Sequence, residues 1–490
     1  MAGELRDLAQ FIYDLKLETV PEKVTEAARF CVLDTIGSAL GAAESPQIHS
    51  IGENFEDWCG PGKNGKKAAA WAKGRALGLF SALMVNGCMA HELELDDVHT
   101  ASKSHPGAVV VTTAWTMADA LGADGKTFLE AVIAGYEVLG RVGWSMDVAS
   151  NRKRGWHTTG IIGTFGAAAA VSKLMGLNVD QMVSAFGMAG TQSSGLWAFL
   201  AEGSTCKKLH PARAAMNGTA ACILALSGMT GPEHILDAKD GGLYQAVSDT
   251  FDMGKLCKDL GKRYVITEID KKPYPCCRTT HHAIDAALKL RKEEHVKPDE
   301  IITILVETYE VGVLQCGFTS YPGNGVEAKF SIPYTCAAAF VKGKVTVAEF
   351  SDSSVADPQI RRIAEAVTVK SDPLFTERYP KRWGSRMTVT LKNGEKKVCQ
   401  IDDMSGSVAV PLSKEQETDK FDGFYFVNNL GRLSAAPQVR YIDNLAIDGI
   451  TLNGYYYFDE NGRMVTEPGI HSLEMDCYEM NFDGNYYFGG

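Results

Sequence analysis

The 490-residue chain has no run of about twenty apolar residues free of charge, so no membrane span is expected. Its opening, MAGELRDLAQFIYDLKLETV, lacks the basic start and unbroken apolar core of a secretory signal, and the expected location is cytoplasmic. Positive charge is in deficit too. A net charge of −11 argues against a nucleic-acid or anionic-membrane partner over most of the surface. Twelve cysteines occur with no paired CxxC spacing, and only Cys276 and Cys277 are adjacent. They read as reduced thiols, with no structural zinc. No nicotinamide loop, P-loop or haem motif is visible, so any chemistry belongs to side chains. An acidic protein that takes an anionic substrate has to gather cations locally, and such gatherings are the features to look for.

The length calls for more than one domain. Up to about residue 260 the sequence is rich in Ala, Gly and Met, and helix periodicity recurs near 72–91, 107–121, 126–147, 160–175, 179–190 and 211–227. Pro21 stands where a first helical turn would start, and Gly41 ends that run. Small residues, as in GIIGTFGAAAA, let helices approach closely and predict a large all-helical domain over 1–264. From 265 to 421 the texture is that of a smaller α+β lid domain. VITEI, IITILVETYEV and RMTVTLKNGEKKVCQI read as strands, the last with an Asn393-Gly394 hairpin turn, and helical stretches fall near 280–293 and 329–342. Beyond Phe421, DGFYF, NGYYYF and DGNYYF begin at Asp422, Asn453 and Asp483, a period of about thirty residues that predicts a short β-hairpin repeat tail over 422–490. The expected fold class is mainly α, and a cleft between the two domains is the expected place for a small-molecule site.

Four clusters carry candidate chemistry. HELELDDVHTASKSHPGA, from His91 to Ala108, places His91, His99 and His105 among Glu92, Glu94, Asp96 and Asp97 directly after a buried-helix pattern. Asp and His beside one another in a partly buried place shift their pKa values readily, as general acid/base catalysis requires. The plain counterpart is a solvated helix end. RKRGWHTTGIIGTFG puts His157, Thr158 and Thr159 at a glycine-rich helix start, where backbone N–H groups can hold a carboxylate. STCKKLHPARAAMNG sets Lys207, Lys208, His210 and Arg213 around a helix start marked by Pro211. KKPYPCCRTTHHAID brings Lys272, Arg278, His281 and His282 to another, although neighbours on a helix diverge and at most one histidine would face a site. Together the clusters read as a site for a di- or tricarboxylate, with no cofactor and no metal required. The alternative is a divalent ion on Asp96, Asp97 and a histidine, since carboxylates suit Mg²⁺.

The order HELELDDVH, SHPGA, GWHTTGIIGTFGAAAA, KKLHPARAAMNG, TGPEHIL, KPYPCCRTTH and FSIPYTCAAAF resembles the MmgE/PrpD family, from about residue 4 to Phe421. That family includes 2-methylcitrate dehydratases, cis-aconitate decarboxylases and iminodisuccinate epimerases. The resemblance implies a helical domain with a smaller α+β lid, a homodimer, and a lyase acting on a polycarboxylate. Motif by motif it implies Glu94, Asp96 and Asp97 from the acidic segment, His105 from HPG, His157 from GWHTTG, Lys207 or Lys208, Lys272 from KPYP, and Tyr334 from FSIPY. Glu94 stands where an aspartate is common, and Val98 where decarboxylase-like members have DDT.

In the expected chemistry His105 or His157 takes or returns a proton beside a carboxylate, with Asp96 in the same acid/base group. Lys207 and Lys272 neutralise the charge that builds, and Glu94, Asp97, Thr158, His210, Arg278, His281 and Tyr334 bind substrate. Loss of water, loss of CO₂ and epimerisation are all open outcomes. The tail resembles choline-binding cell-wall repeats, which hold a quaternary ammonium by cation–π attraction. It contains no Trp, so a degenerate module is expected, with choline or a cell-wall ligand as a weak partner. The rival class is a wall-binding protein with an inactive enzyme-like body.

Overall fold

The small residues of the first half fold into helices that close on one another. In this computed structural model the described residues are 3–43, 45–59, 65–72, 76–412, 438–447 and 450–458. The helices are α1 (Glu4–Asp14), α2 (Glu22–Leu40), α3 (Pro46–Cys59), α4 (Leu79–His91), α5 (Pro106–Leu121), α6 (Gly125–Trp144), α7 (Val148–Lys153), α8 (Thr158–Met175), α9 (Val179–Gly190) and α10 (Leu209–Leu226). Helix α8 is buried from Thr158 to Ser172, with α5, α6, α9 and α10 packed around it. Its glycines and its run of four alanines admit neighbours on every side, so the helix has no solvent face over that length. Ends are set locally: Asp124 accepts from Thr127 N at the start of α6, and Asn178 with Gln181 forms a capping box on α9.

Two predicted elements come out differently. The expected helix over 72–91 starts only at Leu79, because Ala76–Gly78 (β2) pairs antiparallel with Lys67–Ala69 (β1). VITEI is not a strand over its length. Val265–Glu268 is a 3₁₀ turn, and only Ile269–Asp270 (β4) extends, pairing with Val98–His99 (β3). The reason is tertiary: Val265 and Ile266 are buried against the helices, and Val265 N–H is held by the Glu137 carboxylate. The β3–β4 pairing ties the acidic segment to the chain that leads to Lys272.

The remaining sheet has four strands, in the order β6 (Val367–Ser371), β5 (Ile301–Thr308), β7 (Ser385–Leu391), β8 (Lys396–Ile401). Strand β5 is parallel to β6 and antiparallel to β7, and β7–β8 is the predicted hairpin, with Gly394 at φ +83°. Helices His281–Glu293 and Ile332–Lys342 pack with the sheet around Ile304, Val306, Met387 and Val389. The core of the helical half, around Val110, Tyr136, Phe165 and Phe186, is a separate cluster. Strand β6 escaped the sequence reading because VTVKS is short and mostly exposed. Of the tail, β9 (Gln438–Ile447) and β10 (Ile450–Phe458) are described. They pair antiparallel, and NGYYYF lies in β10. The other repeat units, and the end of the expected lid domain at 413–421, lie outside the described residues. Among those residues no helix is long and apolar enough to cross a membrane.

Candidate active site

Three helix starts and one helix end converge. Helix α4 ends at His91, and the chain leaves it through Glu94 in the left-handed region at φ +58°. His105 is the N-cap of α5, His157 that of α8 and Lys208 that of α10, with Lys207 just before and His210 in the first turn. N-terminal N–H groups carry partial positive charge, which suits anions and keeps nearby imidazoles neutral. The positions follow from sequence, since Pro106 and Pro211 fall in first turns, where a missing N–H costs nothing.

The acids and cations pair closely. Lys207 Nζ donates to both oxygens of Glu94 at 2.5 and 2.6 Å, and the Lys272 ammonium donates to Glu94 O at 2.8 Å while lying 3.6 Å from Glu94 Oε2 and 3.9 Å from Asp96 Oδ1. His91 Nδ1 bonds Asp96 Oδ2 at 2.8 Å, and His105 Nδ1 is 3.4 Å from the same oxygen. The ring of His105 is 4.7 Å from that of His91 and 6.4 Å from that of His157. Burial pushes the Glu94 carboxyl up, but Lys207, His91 and Lys272 outweigh it and hold it below the carboxylate range. Asp96 is held down likewise, against burial, by His91 and Lys272. Both acids are therefore ionised and offset the two ammonium groups, so this part of the pocket is balanced rather than positive.

His105, His157 and His210 are set as neutral bases. Burial, then the Lys272 charge, push His105 well below its ordinary value. Its Nδ1 lies 3.0 Å from the Asp97 carbonyl, which can only accept, so Nδ1 carries the hydrogen and Nε2 keeps its lone pair. Burial and His210 push His157 down as well, and burial and Lys207 push His210 to about 4. His157 Nδ1 and His210 Nδ1 are 2.8 Å apart, so one donates and the other accepts. Trp197 and Phe199 wall His157, at ring distances of 5.3 and 6.4 Å. A Cβ on Gly160 would collide with Ser194 O, which explains why GWHTTG needs glycine there. A cavity of about 760 Å³ reaches the acid–cation pairs at His91, Glu94 and Lys207 and is lined also by Lys208, Lys329 and Phe330; His105, His157 and His210 are not among its lining residues.

Ligand atoms of His91, Asp96 and His105 lie within 4.8 Å of one another and could reach one metal ion. Lys272 at 3.9 Å from Asp96 opposes a divalent cation there, and the donor set suits hydrogen bonding better. Asp97, part of the expected ion site, lies beneath: it accepts from Gly107 N at 2.8 Å and from Tyr136 OH at 2.6 Å. Burial and Asp34 push it up to about 7.

The structure thus brings Glu94, Asp96, His105, His157, Lys207, His210 and Lys272 together. Thr158 adjoins His157 but gives its hydroxyl to Asn151. Lys208 bonds Glu92 at the cavity edge. Arg278, His281 and Tyr334 are directed elsewhere. Arg278 donates to Ser405 O at 2.7 Å and lies 3.1 Å from His281 Nδ1; His281 Nε2 meets Cys276 O. Tyr334 gives its hydroxyl to Glu349 O within the core beside the four-stranded sheet. The chain turns after Lys272, so of the KPYPCCRTTHH segment only that lysine reaches the imidazoles. His282 meets Thr308 instead. Sequence reasoning gave His91 no role of its own, although its place at the end of a buried helix was the available signal. It gave none to Trp197 or Phe199, which carry no chemical signature.

The MmgE/PrpD N-terminal domain matches residues 6–255, and the MmgE/PrpD C-terminal domain matches 274–425. The chain is 24% identical over 440 residues to a cis-aconitate decarboxylase of Aspergillus terreus, covering 86% of this chain and 89% of that protein. It is 26% identical over 428 residues to the cis-aconitate decarboxylase of Mus musculus, covering 84% and 85%. With a 2-methylcitrate dehydratase of Salmonella typhimurium it shares 22% identity over 416 residues, covering 80% and 83%. With both family domains matched in order over most of its length, the chain belongs to the MmgE/PrpD family.

Proposed function

We propose that the protein is a cofactor-independent lyase acting on a di- or tricarboxylate, of the 2-methylcitrate dehydratase or cis-aconitate decarboxylase type. The observation that carries this is His105, a neutral imidazole whose Nδ1 hydrogen is committed to the Asp97 carbonyl while Nε2 keeps its lone pair. In dehydration, Nε2 takes a proton from the carbon beside a carboxylate. The electron pair forms the double bond, and hydroxide leaves as water, taking the proton that His105 then carries. In decarboxylation the bond to a carboxylate breaks, CO₂ departs, and the carbon accepts a proton that His105 Nε2 has first taken up from solvent. Both routes build negative charge next to Lys207 and Lys272, which Glu94 fixes in place before substrate arrives; such preorganised charge needs no rearrangement during reaction. Trp197, Phe199 and Phe330 exclude water and strengthen these interactions.

The reading includes the division at 264/265 and the homodimer that the resemblance implies; sedimentation of the full chain as a monomer would remove the dimer. The main test incubates the protein with 2-methylcitrate, cis-aconitate and iminodisuccinate in D₂O, following products by NMR and CO₂ by trapping. Turnover of one tricarboxylate with loss of water or CO₂ is expected. Deuterium exchange with inversion on iminodisuccinate alone would assign an epimerase, and no turnover or exchange with any of the three would overturn the proposal.

A further inference from the structure

The Lys103–Arg152 pair stands apart from the lysines above. Lys103 is 9% exposed and Arg152 8%, yet Lys103 Nζ and Arg152 Nε have no hydrogen-bond partner. No ion pair joins either to a carboxylate among the described residues. Their charged groups lie over one ring, Arg152 Cζ at 4.3 Å and Lys103 Nζ at 5.9 Å from the centre of Trp197. Residues of the α+β half approach Lys103 as well. Lys103 Nζ is 5.9 Å from the ring of Tyr379, and the buried hydroxyls of Tyr309 and Tyr379 and the amide oxygen of Gln315 are unpartnered as well. Cys277 and Cys316 are the neighbouring groups that favour the charged forms of both residues. Even with Cys277 ionised, one thiolate faces two cations.

Two buried cations side by side are unfavourable without an anion between them. The backbone nevertheless holds Lys103 there. It sits at φ +51°, a region costly for a side chain other than glycine, in a turn closed by His99 N–H to Ser104 O and Ser104 N–H to His99 O. Strain and uncompensated charge at one residue, with the unpartnered hydroxyls of Tyr309 and Tyr379 in the same region, are what a built anion site looks like before its ligand arrives. Burial and the Arg152 charge push Lys103 down to about 7, and an incoming anion would restore its proton. Trp197 links the pair to the reacting group, since its ring also touches His157 at 5.3 Å.

We propose that Lys103 and Arg152 form a subsite for a substrate carboxylate other than the one beside the reacting carbon, with the tyrosine hydroxyls as further donors. The proposal rests on the polycarboxylate reading above and deepens it. The subsite selects acids with a second carboxylate several ångströms from the reacting centre, and rejects monocarboxylates, which leave both cations unpaired.

Calorimetry on the full chain tests this with an unreactive probe, propane-1,2,3-tricarboxylate, against propionate, alongside turnover of whichever tricarboxylate is active. Lys103→Met is expected to weaken binding of the tricarboxylate at least tenfold and leave propionate binding unchanged. KM should rise at least tenfold with kcat within about threefold of wild type, and Lys103→Arg should recover most of the loss, since a guanidinium pairs carboxylate well. Arg152→Lys is the second variant, keeping charge while removing the planar fork, should Lys103→Met fail to fold. Unchanged tricarboxylate affinity and KM in folded Lys103→Met or Arg152→Lys, with turnover intact, would overturn the subsite and leave the lyase reading standing. Loss of probe binding in Lys103→Met, with no turnover by the wild type, would uphold the anion site and remove the lyase.

Discussion

Two groups of buried cations neighbour His157, one through Lys207 and the other across the Trp197 ring, and they are built on opposite terms. Lys207 and Lys272 meet ionised Glu94 and Asp96, so their charge is settled within the protein. Lys103 and Arg152 have no such partner among the described residues and both lie over the Trp197 ring. A paired buried charge is part of the fold, and removing one member strands the other; an unpaired one burdens the fold until something outside supplies the counter-charge. The contrast separates a fixed electrostatic scaffold from a receptor.

The strongest way to break it is at the base: His105→Ala should lower turnover by about 10²–10⁴ while sparing tricarboxylate binding, measured by steady-state rates and calorimetry. Lys207→Ala comes next, with an expected loss of about 10²–10³ in rate. It should also cost up to about 3–5 kcal/mol in a denaturant melt, because Glu94 loses its closest cation. Lys103→Met should move stability the other way, staying neutral or gaining, and should shrink the stabilisation that added tricarboxylate gives wild type, about 2.7 kcal/mol at a hundred times Kd. A destabilised Lys103→Met would erase the distinction between the two groups.

A smaller effect is set by pH. Asp97 rises from an ordinary 3.8 to about 7 in the folded protein. Between those values the folded state binds the proton and the unfolded state does not. Its contribution is therefore fully present below about pH 3.8 and is lost as pH rises through about 7. Across pH 5 to 8 the stability of wild type relative to Asp97→Asn should show that fall, because the opposite slope from His105, His157 and His210 is common to both. Smallest is Tyr136→Phe, which removes one donor to Asp97 and should cost about 1–3 kcal/mol with the rate constant little changed.

Much of the reacting group was legible because its signals are local. A titratable cluster after an apolar helix, histidine before proline at a helix start, and glycine after GWHTT each mark a position on one element. What stayed hidden depended on direction. Arg152, Lys153 and Arg154 are consecutive, yet only Arg152 turns inward, while Lys153 and Arg154 reach Glu310 and Asp249 at the surface. Arg278 and His281 carried the same chemistry on paper as Lys272, but the turn after Lys272 spends them on Ser405 and Cys276. VITEI has strand composition and became a turn because Glu137 and the helical core hold it.

By itself the sequence determined the mainly helical character, the places where helices begin, and which segments could carry proton chemistry, because periodicity, proline and glycine act over a few residues. Only the tertiary structure decided which cations are compensated and which are not. Pairing and burial depend on groups far apart in the chain, as with Lys207 and Glu94 or Lys103 and Tyr379, and no local pattern encodes whether a buried charge finds its partner in the protein or must await one.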